Sequence, residues 1–162
     1  MAELTNLETK LGEVIGLAMA AQAATERVEK LTKDRQLKKQ LQTMRKEAAQ
    51  AEKDGTAVAA SIDKKKGKIL AEARSVKTKG ATMMKTYLER GSDDLDGFEF
   101  LTMAEAGEVG HWSVLQELNK QARHVGVRDL VKVQLPIQKR HLKDAMAASV
   151  QLAAKEDANA SA

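Results

Sequence analysis

Cysteine is absent from this sequence, which excludes disulfides, thiolate zinc ligands and thiol catalysis. Proline occurs once, and aromatic residues make up only 2% of the chain. Runs of β-branched residues are missing as well, so nothing in the chain reads as a strand. The longest stretch of low charge, residues 14–25, is too short and too rich in alanine to cross a bilayer. No nucleophile–base pair or phosphate-binding glycine loop is evident. Residues 1–10 contain an early acid and no apolar run, unlike a secretory leader, so a cytoplasmic protein with no membrane partner is expected. An excess of one charge is also lacking: 27 basic residues oppose 23 acidic ones, for a net charge of +4. The basic stretch 30–68 carries acids and no interleaved aromatics, so it reads as a solvated face and argues against a nucleic-acid groove.

What the chain does contain is Ala, Lys, Leu, Glu and Gln at helical spacing, over a length of 162 residues that suits one domain. An all-α domain over residues 1–154 is expected, with a disordered polar tail at 155–162. Leu7, Leu11, Val14, Ala18, Ala21, Thr25 and Val28 form the seam of a first helix, capped by Thr5 or Asn6 and ending near Leu31. Its charged Glu8, Glu13 and Glu26 fall off that seam and are expected to face water. Asp34 caps a second helix whose seam runs Leu37, Leu41, Met44, Ala48, Ala51, Val58 and Ile62, with Glu47 at its edge. The lysine-rich residues 64–68 read as a turn. A connecting helix at about 69–88 precedes Gly91, Ser92, Asp93 and Asp94, which end it and cap the next helix. Gly126 marks the last turn, and the helix beyond it should kink at Pro136. The seven methionines read as core filler.

Chemistry concentrates in residues 98–126. Phe98, Leu101, Ala104, Trp112, Leu115 and Leu118 form an inward stripe, and Glu108 lies in the middle of it. His111 comes one turn later on the same face. A carboxylate on a core-facing seam costs several kcal/mol unless it is paired. Two readings of Glu108 and His111 stand open: a buried hydrogen-bonded pair, or ligands to a metal ion. Glu105, one position off the stripe, reads as solvated or salt-bridged, and His124 reads as a partner of a helix C-terminal dipole. On the last helix Val131, Leu135, Gln138, Leu142 and Ala145 face inward, with His141 one turn beyond Gln138. Gln138 and His141 read first as a polar core network and second as ligands.

The pattern Ala104-Glu105-x-x-Glu108-Val109-x-x-Trp112-x-x-Leu115 resembles the A-E-x-x-E-[IV]-x-x-Y-x-x-L motif of the YciF-type ferritin-like stress proteins of bacteria. Leu37-x-x-x-Leu41 with Arg45-Lys46-Glu47 after it is similar to the second helix of that family. The resemblance covers about residues 37–146, with the first helix as an extension. It implies a ferritin-like antiparallel four-helix bundle with an extra helix in the connection between the second and third long helices. It also implies a central metal site, for which Glu108, His111, His141, Glu47 and Gln138 are the candidates here. Iron, manganese or zinc would suit such N/O donors. The chain departs from the family pattern at Ala18, where a first-helix glutamate would fall, at Met44, where a histidine would fall, and at Ile137-Gln138, where an acidic pair would fall. A full di-metal centre needs more carboxylates than these, so a partial or degraded site is expected, and di-metal ferroxidase or peroxide-consuming chemistry ranks behind no catalysis. The alternative is a helical interaction or dimerisation protein that kept the fold without metal, binding a protein partner or a second copy. The small-residue strip Gly12, Gly16 and Ala20 is its candidate face, and serves equally well as a packing surface within the monomer.

Overall fold

A computed structural model describes residues 3–161. Positions 1 and 2 of the expected domain and position 162 of the expected tail lie outside the described residues. Among the described residues the chain is all-α: five helices and no strand. They are α1 (Asn6–Leu31), α2 (Arg35–Ser61), α3 (Lys66–Tyr87), α4 (Asp94–Ala122) and α5 (Val125–Ala153). None of them is long and apolar enough to cross a membrane.

The helix starts arise from local side-chain chemistry. Thr5 accepts from the backbone of Glu8 while Glu8 answers the backbone of Thr5, a capping box that satisfies two orphan donors of α1. Glu8 is therefore buried at the helix start, a correction to its expected exposure. Asp34 accepts from Gln36 and Leu37 at the start of α2, and Asp93 forms a second capping box with Asp96 at the start of α4. Between α4 and α5 the turn lies at Arg123, in the left-handed region at φ 55°, and Gly126 falls inside α5. His124 caps the N-terminus of α5 by accepting from Val127 at 3.2 Å, and does not serve a C-terminal dipole. Asn119 holds the turn by bonding both the N–H and the carbonyl of His124, each at 3.0 Å. Helix α5 runs unbroken through Pro136. Residues 155–161 form exposed turns.

Packing makes a ring of neighbours: α1 on α2, α2 on α5, α5 on α4, and α4 back on α1. Cross-helix pairs give the directions. Glu29 meets Gln42 and Arg45, whereas Gln22, a turn and more earlier, meets Glu52. Thr102 meets Ser149 while Glu105 meets Gln138. Gly97 lies against Val28 while His111 meets Glu13. Each of these pairs is antiparallel, and so are α2 and α5, where Val58 lies by Gly126 and Glu47 meets His141.

Helix α3 stands outside this ring and runs parallel to α1. Gly12 faces Ile69 and Glu72, Gly16 faces Ala73 and Val76, and Ala20 faces Gly80. A Cβ on Gly16 would lie 2.3 Å from the carbonyl oxygen of Ala73. The glycine strip is thus the seat of α3 within the chain, which decides between its two open readings in favour of packing within the monomer. Only Ile69 and Ala73 of α3 are fully buried.

The apolar interior is divided in two. One cluster gathers Leu11, Val14, Ile15, Trp112, Leu115 and Leu135 with their neighbours. The other gathers Val28, Leu37, Leu41, Phe98, Leu101 and Leu152 with theirs. Polar side chains of α4 and α5 occupy the level between them.

Candidate functional site

The polar level is built by a spacing rule that overrides residue type. The buried face of α4 is Phe98, Leu101, Glu105, Glu108, Trp112, Leu115 and Asn119, alternating three and four apart. A stripe drawn through apolar residues alone takes Ala104 and Leu118 in place of Glu105 and Asn119. Both are only partly buried. The 3.5-residue period of a helix packed along its whole length decides the matter. Glu105 is 1% exposed and Glu108 4% exposed, so the expected solvation of Glu105 is corrected. Helix α5 obeys the same rule with Val127, Val131, Gln134, Gln138, His141, Ala145 and Ala148. Gln134, 2% exposed, is a buried polar residue that the apolar stripe overlooks.

These side chains form one connected network. Gln138 Nε2 donates to both buried glutamates of α4, at 3.3 Å to Glu105 and in a shorter bond to Glu108. The two ring nitrogens of His141 each face a carboxylate: Nδ1 lies 3.7 Å from Glu105, and Nε2 bonds Glu47 on α2. Glu47 in turn accepts from Arg140 at 2.7 Å. His141, 2% exposed, is thereby held as an imidazolium between two acids.

The titration behaviour has a physical cause at each position. Burial strips water from the Glu108 carboxyl and the charge of Glu105 adds repulsion, so it holds its proton well above the ordinary carboxylate range despite the bond from Gln138. Burial disfavours the charged form of His141, but Glu105 and Glu47 outweigh it and raise its affinity for a proton. Burial likewise pushes Glu47 upward, and Arg140 and His141 overcome that push to hold it below the usual range. Burial therefore favours the neutral form of Glu108, while the acids around His141 favour its charged form.

His111 goes elsewhere. Its Nδ1 turns to Glu13 at 3.1 Å and to Lys10 at 3.2 Å, both on α1. Glu13, also bonded to Lys10, is held below the usual carboxylate range by these two partners against the effect of burial. Of the five candidate ligands, the structure joins Glu108, Gln138, His141 and Glu47 in one network, adds Glu105, and sets His111 apart, beside the Lys10–Glu13 ion pair of α1. The i,i+3 spacing of Glu105 and Glu108 was the available signal for the missing member, because two glutamates one turn apart share a face.

Among the described residues no group of three or more His, Asp or Glu side chains is arranged to hold a metal ion. The donor set does not fit the di-metal centre that the family resemblance implies. The α1 position is Ala18, the α2 position is Met44, and Gln138 places its amide nitrogen toward the carboxylates. An N–H group repels a cation and serves a carboxylate. Comparison with protein-family models, with curated protein sequences and with solved structures returns no match.

Proposed function

We propose that this chain is a ferritin-like four-helix bundle of the bacterial stress-protein type, cytoplasmic, whose metal site has degraded into a proton-holding polar layer without catalysis. The ring α1, α2, α5, α4 supports the fold assignment. Both α2 and α4 run opposite to α1, so the link between them must carry the chain back along the length of the ring. Helix α3, 22 residues and so about 33 Å long, does this, as the long crossover of ferritin-like bundles does. The single observation that carries the functional reading is the amide of Gln138 on Glu105 and Glu108. A hydrogen-bond donor there serves the carboxylates that would otherwise call for a cation. Each buried carboxylate then finds a partner among side chains, and the fold is retained without an ion.

The second reading is a single Fe(II), Mn(II) or Zn(II) ion that enters only after the layer rearranges, since Glu105, Glu108 and His141 are not arranged to hold an ion as they stand: Gln138 would have to turn over and present its oxygen, and His141 to lose a proton. Elemental analysis of protein purified without chelator separates the two. The lead reading expects well under one equivalent of metal and a thermal melt that chelator does not move. One equivalent of metal that is lost in Glu108→Ala refutes it.

A further inference from the structure

Helix α3 has an outer face that the ring leaves uncovered. Of its 22 residues only Ile69 and Ala73 are fully buried, both on the side toward α1. The stretch 30–68 reads as a solvated face because acids are mixed into it. Toward its end the mixture changes: residues 64–90 hold nine lysines or arginines and two glutamates. That one segment exceeds the net charge of +4 of the whole chain, so the remainder of the molecule is net acidic. Lys66, Arg74, Lys77, Lys79 and Lys85 are all exposed, and none of them forms an ion pair among the described residues. Ser75, Thr78, Thr82 and Thr86 are exposed beside them, short side chains over which a large partner can approach the helix.

Cations segregated from acids repel one another and favour a polyanion. The kind of polyanion follows from what the face lacks. An anionic membrane calls for an apolar stripe along the whole helix. Here Ile69 and Ala73 are taken up by α1, and the exposed apolar side chains, Met83 and Tyr87, lie only at the C-terminal end. An acidic protein partner would need an interface centre poor in lysine. A single nucleic-acid strand calls for rings on which bases stack. Tyr87 is the one aromatic residue of α3, and its ring already stacks on Phe100 at 6.0 Å. A duplex asks only for cations along its backbone, which carries one charge per about 1.7 Å of axis. Lys66 to Lys85 extends over about 28 Å of helix, most of the roughly 34 Å of one duplex turn. Asn and Gln, which read base edges, are absent from α3, and arginine occurs once.

We propose that the outer face of α3 docks double-stranded nucleic acid through its phosphate backbone, without regard to base sequence. The row Lys66, Arg74, Lys77, Lys79 and Lys85 neutralises phosphates and releases their counterions. The net acidic remainder of the molecule is repelled by the same duplex, so α3 is the side that turns toward it. This docking is independent of whether the polar layer holds a metal.

The test is fluorescence anisotropy of the full chain with two labelled DNA duplexes of unrelated sequence, each about 20 base pairs long, in NaCl from about 50 to 200 mM. Both duplexes are expected to bind with a micromolar Kd at the lowest salt, within about threefold of each other, and log K should fall against log salt with a slope of about −3 to −5. Arg74→Gln/Lys79→Gln/Lys85→Gln should weaken binding at least about tenfold and reduce the slope by roughly 2 to 3. Lys39→Gln/Lys46→Gln/Lys53→Gln removes the same charge from exposed positions of α2 and should weaken binding less than about threefold. Both triple variants exchange exposed side chains only, and circular dichroism checks that each keeps the helix content of the wild type. Absence of binding at about 100 μM protein in the lowest salt, equal losses in the two triple variants, or a preference of about tenfold for one duplex each overturns the proposal. Vesicles of one part phosphatidylglycerol to two parts phosphatidylcholine test the lipid alternative: tighter binding to these than to either duplex overturns the proposal and gives the face to an anionic membrane.

Discussion

Replacing Glu108 with Gln should make the protein more stable at pH 8 and leave it nearly unchanged at pH 5. In the unfolded chain this carboxyl ionises near 4.5; in the fold, burial and then Glu105 hold its proton to a higher pH. Between those two values the folded state binds more protons than the unfolded one, so stability falls as pH rises. The slope approaches about 1.4 kcal/mol per pH unit within the window. His141 adds to the trend with the same sign. Its raised affinity for a proton contributes stability that is complete below the unfolded value of 6.5 and is lost as pH rises through the folded value. Glu47 and Glu13, both held low, contribute stability that is complete above their ordinary value of 4.5 and fades only in acid, so they are flat from pH 5 to 8. Glu108→Gln removes the first contribution and keeps a group that can accept from Gln138. Urea unfolding monitored by circular dichroism at pH 5, 6, 7 and 8, with chelator present, measures both slopes. The wild-type curve should fall from pH 5 upward, and the variant should stay level until the histidine begins to titrate. A wild-type stability that is flat or climbs over pH 5 to 7, or a variant that is weaker by the same amount at every pH, refutes the account. A climb that appears only on adding Zn(II) would instead mark neutral imidazole ligation.

Three further perturbations test the packing. His141→Ala leaves Glu105 buried without its cation and should cost about 3–5 kcal/mol at pH 6 by denaturant unfolding, with a smaller cost at pH 8 where the wild type has itself lost part of the pair. Gly16→Ala pushes a methyl into the backbone of Ala73 and should cost about 1–3 kcal/mol. Hydrogen exchange should place the loss in α3 while α4 and α5 keep their protection; uniform loosening of all five helices would contradict the seating of α3 on the glycine strip. Thr5→Ala removes the side-chain acceptor of the α1 capping box and should lower stability by about 1 kcal/mol, read as a small fall in Tm with an unchanged spectrum.

The polar layer also explains how the interior tolerates charge. It lies between two apolar clusters, so its members have little water to turn to and must satisfy one another. Among the described residues, every buried side-chain nitrogen and oxygen has a hydrogen-bond partner. A layer of this kind also pins register. Shifting α5 by one turn on α4 would take Gln138 off Glu105 and Glu108 and take His141 off Glu47, with no apolar compensation.

The helices themselves were legible in the residues alone. Thr5, Asp34 and Asp93 are short polar acceptors placed before apolar periodicity, and each starts its helix where local chemistry requires. The all-α class is set by what is missing as much as by what is present, since no stretch favours a strand. Glu108, Gln138, His141 and Glu47 were identifiable because each lies on or beside an apolar seam, where a polar group must find a partner. Tertiary structure decided which partner. Glu105 and Asn119 are inward because packing along the full length of α4 imposes a 3.5-residue period, while a stripe chosen by hydrophobicity drifts onto Ala104 and Leu118. His111 shares a face with Glu108 on the helix, yet Glu13 and Lys10 of α1 reach it first. The Gly12 and Gly16 strip permits close approach by any helix, and only the return path of the chain makes that helix α3. Spacing along one helix sets which side chains point together; which of them meet depends on what the neighbouring helix brings, and that is a property of the assembled ring.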